Sequence, residues 1–75
     1  MPLADKRVLV VGLGRSGIAA AQLCAARGAR VTVTDKRSAT ELAAAVAKLP
    51  AGVAHELGGH RRESFVGADL VILSP

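Results

Sequence analysis

The sequence predicts an α/β fold built on a parallel sheet, and three features carry that expectation. The apolar run Val8-Leu9-Val10-Val11 passes directly into Gly12-Leu13-Gly14-Arg15-Ser16-Gly17, a helical pattern opens there and ends near Gly28, and a second strand-like run, Val31-Thr32-Val33-Thr34, ends on Asp35. A glycine-rich turn between strand and helix, with an acidic residue at the end of the next strand roughly 20 positions on, is the pattern of a dinucleotide-binding βαβ unit. The glycine spacing alone recurs by chance, so it is the flanking strand, helix and acid that give it weight.

Each element has its own sequence reason. The first strand, Arg7 to Val11, is apolar on both faces, as a central parallel strand covered by helices on either side should be. The first helix is expected from Arg15 to Arg27, with Gly28 at its left-handed C-terminal position and with Ala20, Ala21, Cys24 and Ala25 as a small-residue surface that lets it approach the sheet. The second strand covers Arg30 to Thr34. Ser38-Ala39-Thr40-Glu41 then reads as a capping box for a helix from Ala39 to Leu49, ended by Pro50 and Gly52. A weaker strand is expected from Val53 to Leu57, the turn Gly58-Gly59 comes next, a short helix falls within His60 to Phe65, and Ala68 to Leu73 forms the last strand. Right-handed crossovers arrange these strands in the order 3-2-1-4, a partial Rossmann-like, doubly wound parallel sheet.

That topology predicts where a ligand sits. Open α/β sheets bind at the carboxyl ends of their strands, beside the point where strand order reverses. Between strands 1 and 4 the crevice gathers the loop Gly12 to Gly17, the segment Asp35-Lys36-Arg37 and the pair Ser74-Pro75. Backbone N–H groups in the first helical turn lack intrahelical partners and carry the positive end of the helix dipole, so they suit a diphosphate. Gly12 is assigned to the tight turn, Gly14 to close approach of the ligand, Gly17 to helix packing and Ser16 to an added hydroxyl donor.

Composition narrows the classes. At 75 residues the chain is at most one small domain, whereas a doubly wound domain usually takes about 100 to 150. Ending on Ser74-Pro75 straight after an apolar strand, it reads as the N-terminal portion of a larger fold, marginally stable alone. The net charge of +4 would suit an anionic partner, but the ten basic residues are scattered and there is no Tyr or Trp for stacking, so nucleic acid is not the expected partner. The lone Cys24 forms no intrachain disulfide and is expected to be a buried thiol. Asp5, Lys6 and Arg7 interrupt any secretory pattern and no apolar run is long enough to span a bilayer, so a cytoplasmic protein without membrane attachment is expected. His55 and His60, with Glu56 and Glu63, complete no metal-ligand spacing, and no metal site is expected. Glu41 is assigned to the cap, Asp69 to the end of a turn and Asp5 to solvent.

The turn is not a Walker A loop, because Ile18-Ala19 follow Gly17 where a Lys-Ser/Thr pair would reach the terminal phosphates. A nicotinamide or flavin dinucleotide and a nucleotide sugar remain. Under the dinucleotide reading, whether in an oxidoreductase or a dinucleotide-sensing regulatory module, Asp35 would bond the adenosine ribose, with Lys36 and Arg37 near a 2′-phosphate.

The run Val8 to Ala21, the stretch Ala26 to Asp35, Gly58-Gly59-His60 and Asp69 to Pro75 together resemble the start of the UDP-N-acetylmuramoyl-L-alanine:D-glutamate ligases, the MurD members of the Mur ligases. The likeness runs in order along nearly the whole chain. It implies the N-terminal domain of a multidomain, ATP-dependent amide-forming ligase of peptidoglycan biosynthesis, holding the UDP part of UDP-N-acetylmuramoyl-L-alanine. Carried over residue by residue, Gly14, Arg15, Ser16 and Gly17 would meet the diphosphate and uracil region, Asp35, Lys36 and Arg37 the base, and Ser74 the edge near the last strand. A uracil edge presents acceptor, donor, acceptor, so a carboxylate at Asp35 could take its ring N–H. Arg15 departs from the apolar residue that relatives can carry, and its guanidinium could stack on the base or reach phosphate, while the bland alternative for Arg15, Lys36 and Arg37 is a solvated face. By the same resemblance ATP, Mg2+ and D-glutamate belong to central and C-terminal domains, so this chain would hold no catalytic residue and no cofactor of its own, would bind without catalysing, and is expected to be a monomer.

Overall fold

In the computed structural model, which describes residues 2–75, the expected β-α-β-α-β-α-β order is present. The elements are β1 (Arg7–Val11), α1 (Arg15–Ala26), β2 (Arg30–Asp35), α2 (Ala43–Val46), β3 (Ala54–Leu57), α3 (Arg62–Val66) and β4 (Leu70–Leu73). All strand pairs are parallel and the order is β3-β2-β1-β4, as the crossover rule predicts. In register, Val10 of β1 lies between Val33 of β2 and Ile72 of β4, which makes β1 the central strand that its apolar run anticipates.

Val8, Val10, Val31 and Val33 share a core cluster with Leu13, Ala21, Cys24 and Leu42. Helix α1 buries Gly17, Ala21 and Cys24 and leaves Leu23 exposed, so its sheet-facing side is made of small residues. The thiol of Cys24 is buried and unpaired with another cysteine. Leu9, on the other side of β1 from Val8 and Val10, is also almost fully buried. Gly28 takes the left-handed conformation expected after α1.

The second helix is the main departure from expectation: it spans Ala43–Val46 instead of Ala39 to Leu49. The capping box does form, with the Glu41 N–H donating to Ser38 Oγ at 3.2 Å and the Ser38 N–H to Glu41 Oε1 at 3.2 Å. Beyond the box Leu42 is buried, Ala45, Val46 and Leu49 pack against the core at helical spacing, and Ala43 and Ala44 face solvent. Ala39 to Leu42 remain a turn, in which the Leu42 N–H donates to the Ser38 carbonyl at 3.1 Å, so the helix opens only at Ala43. At its end the N–H groups of Lys48 and Leu49 bond three residues back, to Ala45 and Val46, and the chain tightens before Pro50.

Smaller boundary differences have local causes. Strand β2 runs one residue further, since Asp35 pairs with Leu57. Strand β3 starts at Ala54 because the Val53 N–H is taken by Pro50 in a turn, and α3 begins at Arg62 and ends at Val66. Strand β4 starts at Leu70, with Asp69 fastening it to β1: the Asp69 N–H donates to the Arg7 carbonyl and the Arg7 N–H donates to Asp69 Oδ2, both at 2.8 Å. No helix among the described residues is long and apolar enough to cross a membrane.

Candidate functional site

The chain leaves β1 through Gly12, whose φ of +98° is a conformation that a residue with a Cβ resists. The Gly12 N–H donates to the Thr34 carbonyl at 2.8 Å, so the turn is tied to β2 as it begins. Gly14 then caps α1 with no side-chain hydrogen bond, and no acidic residue stands in the first turn. The N–H groups of Arg15, Ser16 and Gly17 therefore open on the carboxyl-end side of the sheet as the positive end of a 12-residue helix.

The two remaining glycines of the motif do different work. A Cβ at Gly14 would meet no atom within 4 Å, which leaves the backbone open to an approaching group. A Cβ at Gly17 would overlap the Gly12 carbonyl oxygen, so this glycine lets the helix start pack on the turn.

Asp35 joins these parts. Its carboxylate is almost completely buried. Oδ2 accepts from the Leu13 N–H at 2.8 Å and from Arg37 Nη2 at 2.9 Å, and Oδ1 accepts from the Arg37 N–H at 2.9 Å and Arg37 Nε at 3.1 Å. Side-chain bonding from Arg37 holds the Asp35 carboxyl well below the usual carboxylate range, against the upward push of burial, and the Arg37 and Leu13 N–H groups add to the lowering. Asp35 is thus an ionised strut between the glycine turn and the end of β2. For its carboxylate to accept a ligand N–H, the half-exposed Arg37 guanidinium has to swing away.

A cleft of about 560 Å³ lies at this edge, lined by Val11, Gly12, Gly14, Asp35, Lys36, Arg37, His60, Ser74 and Pro75. It brings together Gly14, Asp35, Lys36, Arg37 and Ser74 from three distant stretches of sequence. Arg15 and Ser16 are exposed on the first turn of α1, outside that lining, and Gly17 is buried beneath it. Ser74 Oγ is buried without a hydrogen-bond partner, although the Ser74 N–H extends the ladder to the Val11 carbonyl at 2.8 Å. The cleft residue that sequence reasoning misses is His60. A histidine five positions from another one gives no ligand pattern, and its place in the cleft depends on the Gly58-Gly59 turn before it.

No group of His, Cys, Asp and Glu suited to a metal ion occurs among the described residues.

The family model for the Mur ligase MurD-like N-terminal domain matches residues 6–75. The chain belongs to this family. Curated relatives of the MurD-like domain include the UDP-N-acetylmuramoylalanine--D-glutamate ligases of Anaeromyxobacter dehalogenans, 59% identical over 97% of this chain and 16% of the relative, and of Geotalea uraniireducens, 51% identical over 100% of this chain and 17% of the relative. The domain therefore spans about a sixth of the length of these relatives. Among solved structures, the A chain of dipicolinate synthase from Bacillus subtilis superposes with a TM-score of 0.78 at 29% identity, covering 100% of this chain and 24% of that one. Its Rossmann-like fold agrees with the strand order of the MurD-like domain.

Proposed function

We propose that this MurD-like domain binds the uridine diphosphate part of UDP-N-acetylmuramoyl-L-alanine, as the N-terminal domain of an ATP-dependent ligase that adds D-glutamate to that substrate in peptidoglycan synthesis. The observation that carries the reading is the convergence, in a member of this family, of an uncapped helix start, the Asp35-Lys36-Arg37 segment and an unpartnered Ser74 hydroxyl on one cleft. The N–H groups of Arg15, Ser16 and Gly17 donate to the diphosphate, and Gly14 lets it approach. Ser74 Oγ, without a partner in the protein, gains one in the ligand. Lys36 adds an exposed cation beside the anionic ligand. Arg37 moves off Asp35 as the base enters, trading its exposed ion pair for a place against the ligand. The domain binds and orients; activation of the substrate carboxylate by ATP and Mg2+, and attack by the D-glutamate amine, belong to parts of the ligase outside this chain.

The test is an amide NMR titration with UDP-N-acetylmuramoyl-L-alanine at millimolar concentration, with NADH in parallel. Shifts at residues 14–17, 35–37 and 74 with the uridine nucleotide alone are expected. The same shifts with NADH alone would replace this reading with that of a dinucleotide-binding module.

A further inference from the structure

Arg15 carries its charge where the helix it opens disfavours one. It is the first residue of α1, directly after the cap Gly14, so a cation there meets the positive end of the helix dipole. Asp or Glu is the favoured charge in such a turn, yet α1 holds no acidic residue from Arg15 to Ala26. Ile18 and Ala19, three and four positions on, therefore give it no ion pair along the helix.

The surroundings leave the charge unpaired as well. Arg15 is exposed and makes no ion pair among the described residues. Asp35 is committed to Arg37 and Glu41 to its cap at Ser38, while Asp5 and Asp69 precede β1 and β4 and so lie at the opposite edge of the sheet. Lys36 adds another exposed cation on the ligand side.

Helix geometry gives the side chain a direction. Cα–Cβ bonds tilt toward the helix N-terminus, so a side chain at the first position projects past the helix start, over the space that the N–H groups of residues 15–17 face. Two features open that space to a phosphate. No atom lies within 4 Å of where a Cβ at Gly14 would stand, and the unpartnered, buried Oγ of Ser74 belongs to a residue whose Cβ is 3.5 Å from the Cβ position at Gly17. The base, by contrast, is assigned to the end of β2, where Arg37 already supplies a guanidinium.

We propose that Arg15 is the charge by which this domain selects a diphosphate: its side chain pairs with phosphate oxygens at the helix start and does not stack on the uracil, and it leaves the unliganded domain less stable than a neutral residue would. The inference rests on the uridine-nucleotide reading above. It adds a specificity-determining residue whose unfavourable place on the helix is offset only when the anion binds.

UDP is the probe, titrated into the 75-residue chain by amide NMR at low salt and again at about 0.5 M, where an exposed charge pair is largely screened. Arg15→Leu keeps an apolar face for a base and loses the charge. It should weaken UDP about threefold to tenfold at low salt, with the gap to the parent shrinking at high salt, and should raise the thermal midpoint of the unliganded chain by about 1 to 5 °C. Arg15→Lys, which keeps the charge without the plane, should bind UDP within about twofold of the parent. UDP bound equally well by Arg15→Leu, with shifts still seen at residues 14–17, would overturn the role of Arg15 and leave the uridine reading standing. So would Arg15→Lys as weak as Arg15→Leu, the mark of a stacked guanidinium plane, or a midpoint that Arg15→Leu does not raise. UDP that moves no signal in the parent would overturn both.

Discussion

Asp35 illustrates how one side chain can serve the fold and the cleft together. Its carboxylate takes four donors, one from the glycine turn and three from Arg37, so its removal acts on stability before it acts on binding. Asp35→Ala leaves the Leu13 N–H without its acceptor and should cost about 1 to 3 kcal/mol in urea denaturation. Asp35→Asn, which retains an acceptor, should cost less and still weaken the uridine nucleotide; affinity equal to the parent would remove Asp35 from the site. The folded-state carboxyl titrates below its unfolded value, so its stabilising contribution is complete above the unfolded pKa near 4 and is lost as pH falls below that toward the depressed folded value. Thermal denaturation between about pH 5 and pH 2 should show that loss in the parent and a flatter profile in Asp35→Asn. The glycines separate just as cleanly. Gly14→Val meets open space, so it should fold normally and block ligand approach, whereas Gly17→Ala runs into backbone and should cost about 3 kcal/mol or more. Far-ultraviolet dichroism and the UDP titration, applied to both variants, distinguish the two outcomes.

At the scale of elements, sequence patterns worked where packing and local chemistry agree. The boundaries of β1 were legible because its apolar run is bounded by Arg7 on one side and Gly12 on the other, and those of α1 because Gly14 and Gly28 punctuate it. The segment after Ser38 was misread in extent because a capping box announces where a helix starts and says nothing of how long it continues. Leu42 is buried in the core and Ala45, Val46 and Leu49 pack against it, but the chain is a turn from Ala39 to Leu42 and tightens again at Lys48 and Leu49, so the helix keeps a single turn. Ser38→Ala should destabilise the domain by about 1 kcal/mol, with the amide signals of residues 39–46 exchanging faster than those of α1 in hydrogen exchange. Equal protection of α1 and α2 would show that the core contacts of Leu42, Ala45, Val46 and Leu49, and not the cap, hold the short helix.

Across the whole molecule, the sheet order follows from the right-handed crossover rule, and the site follows from the sheet order. Because β1 is central and β2 and β4 flank it, the loops after all three strands end on one edge. Strand sequence alone placed Gly14, Asp35, Lys36, Arg37 and Ser74 there correctly. It could not place His60, because that residue arrives by a backbone turn anchored to Asp35 and Arg37 and through a contact with Thr34, none of which leaves a spacing signature. The resemblance to MurD-type ligases, readable in the order of several separated motifs, agrees with the family match along residues 6–75.

The sequence by itself determined the α/β class, the strand order and the glycine turn between β1 and α1, since these rest on local periodicity, glycine positions and a chirality rule that hold wherever such a chain folds, and it determined the family through the order of its separated motifs. Only the tertiary structure decided that Asp35 is already paired with Arg37, that Gly17 is a packing residue while Gly14 is open, and that His60 joins the cleft. Those facts depend on which groups meet across the turns, and hydrogen-bond partners brought together by folding are not written in the spacing of residues along the chain.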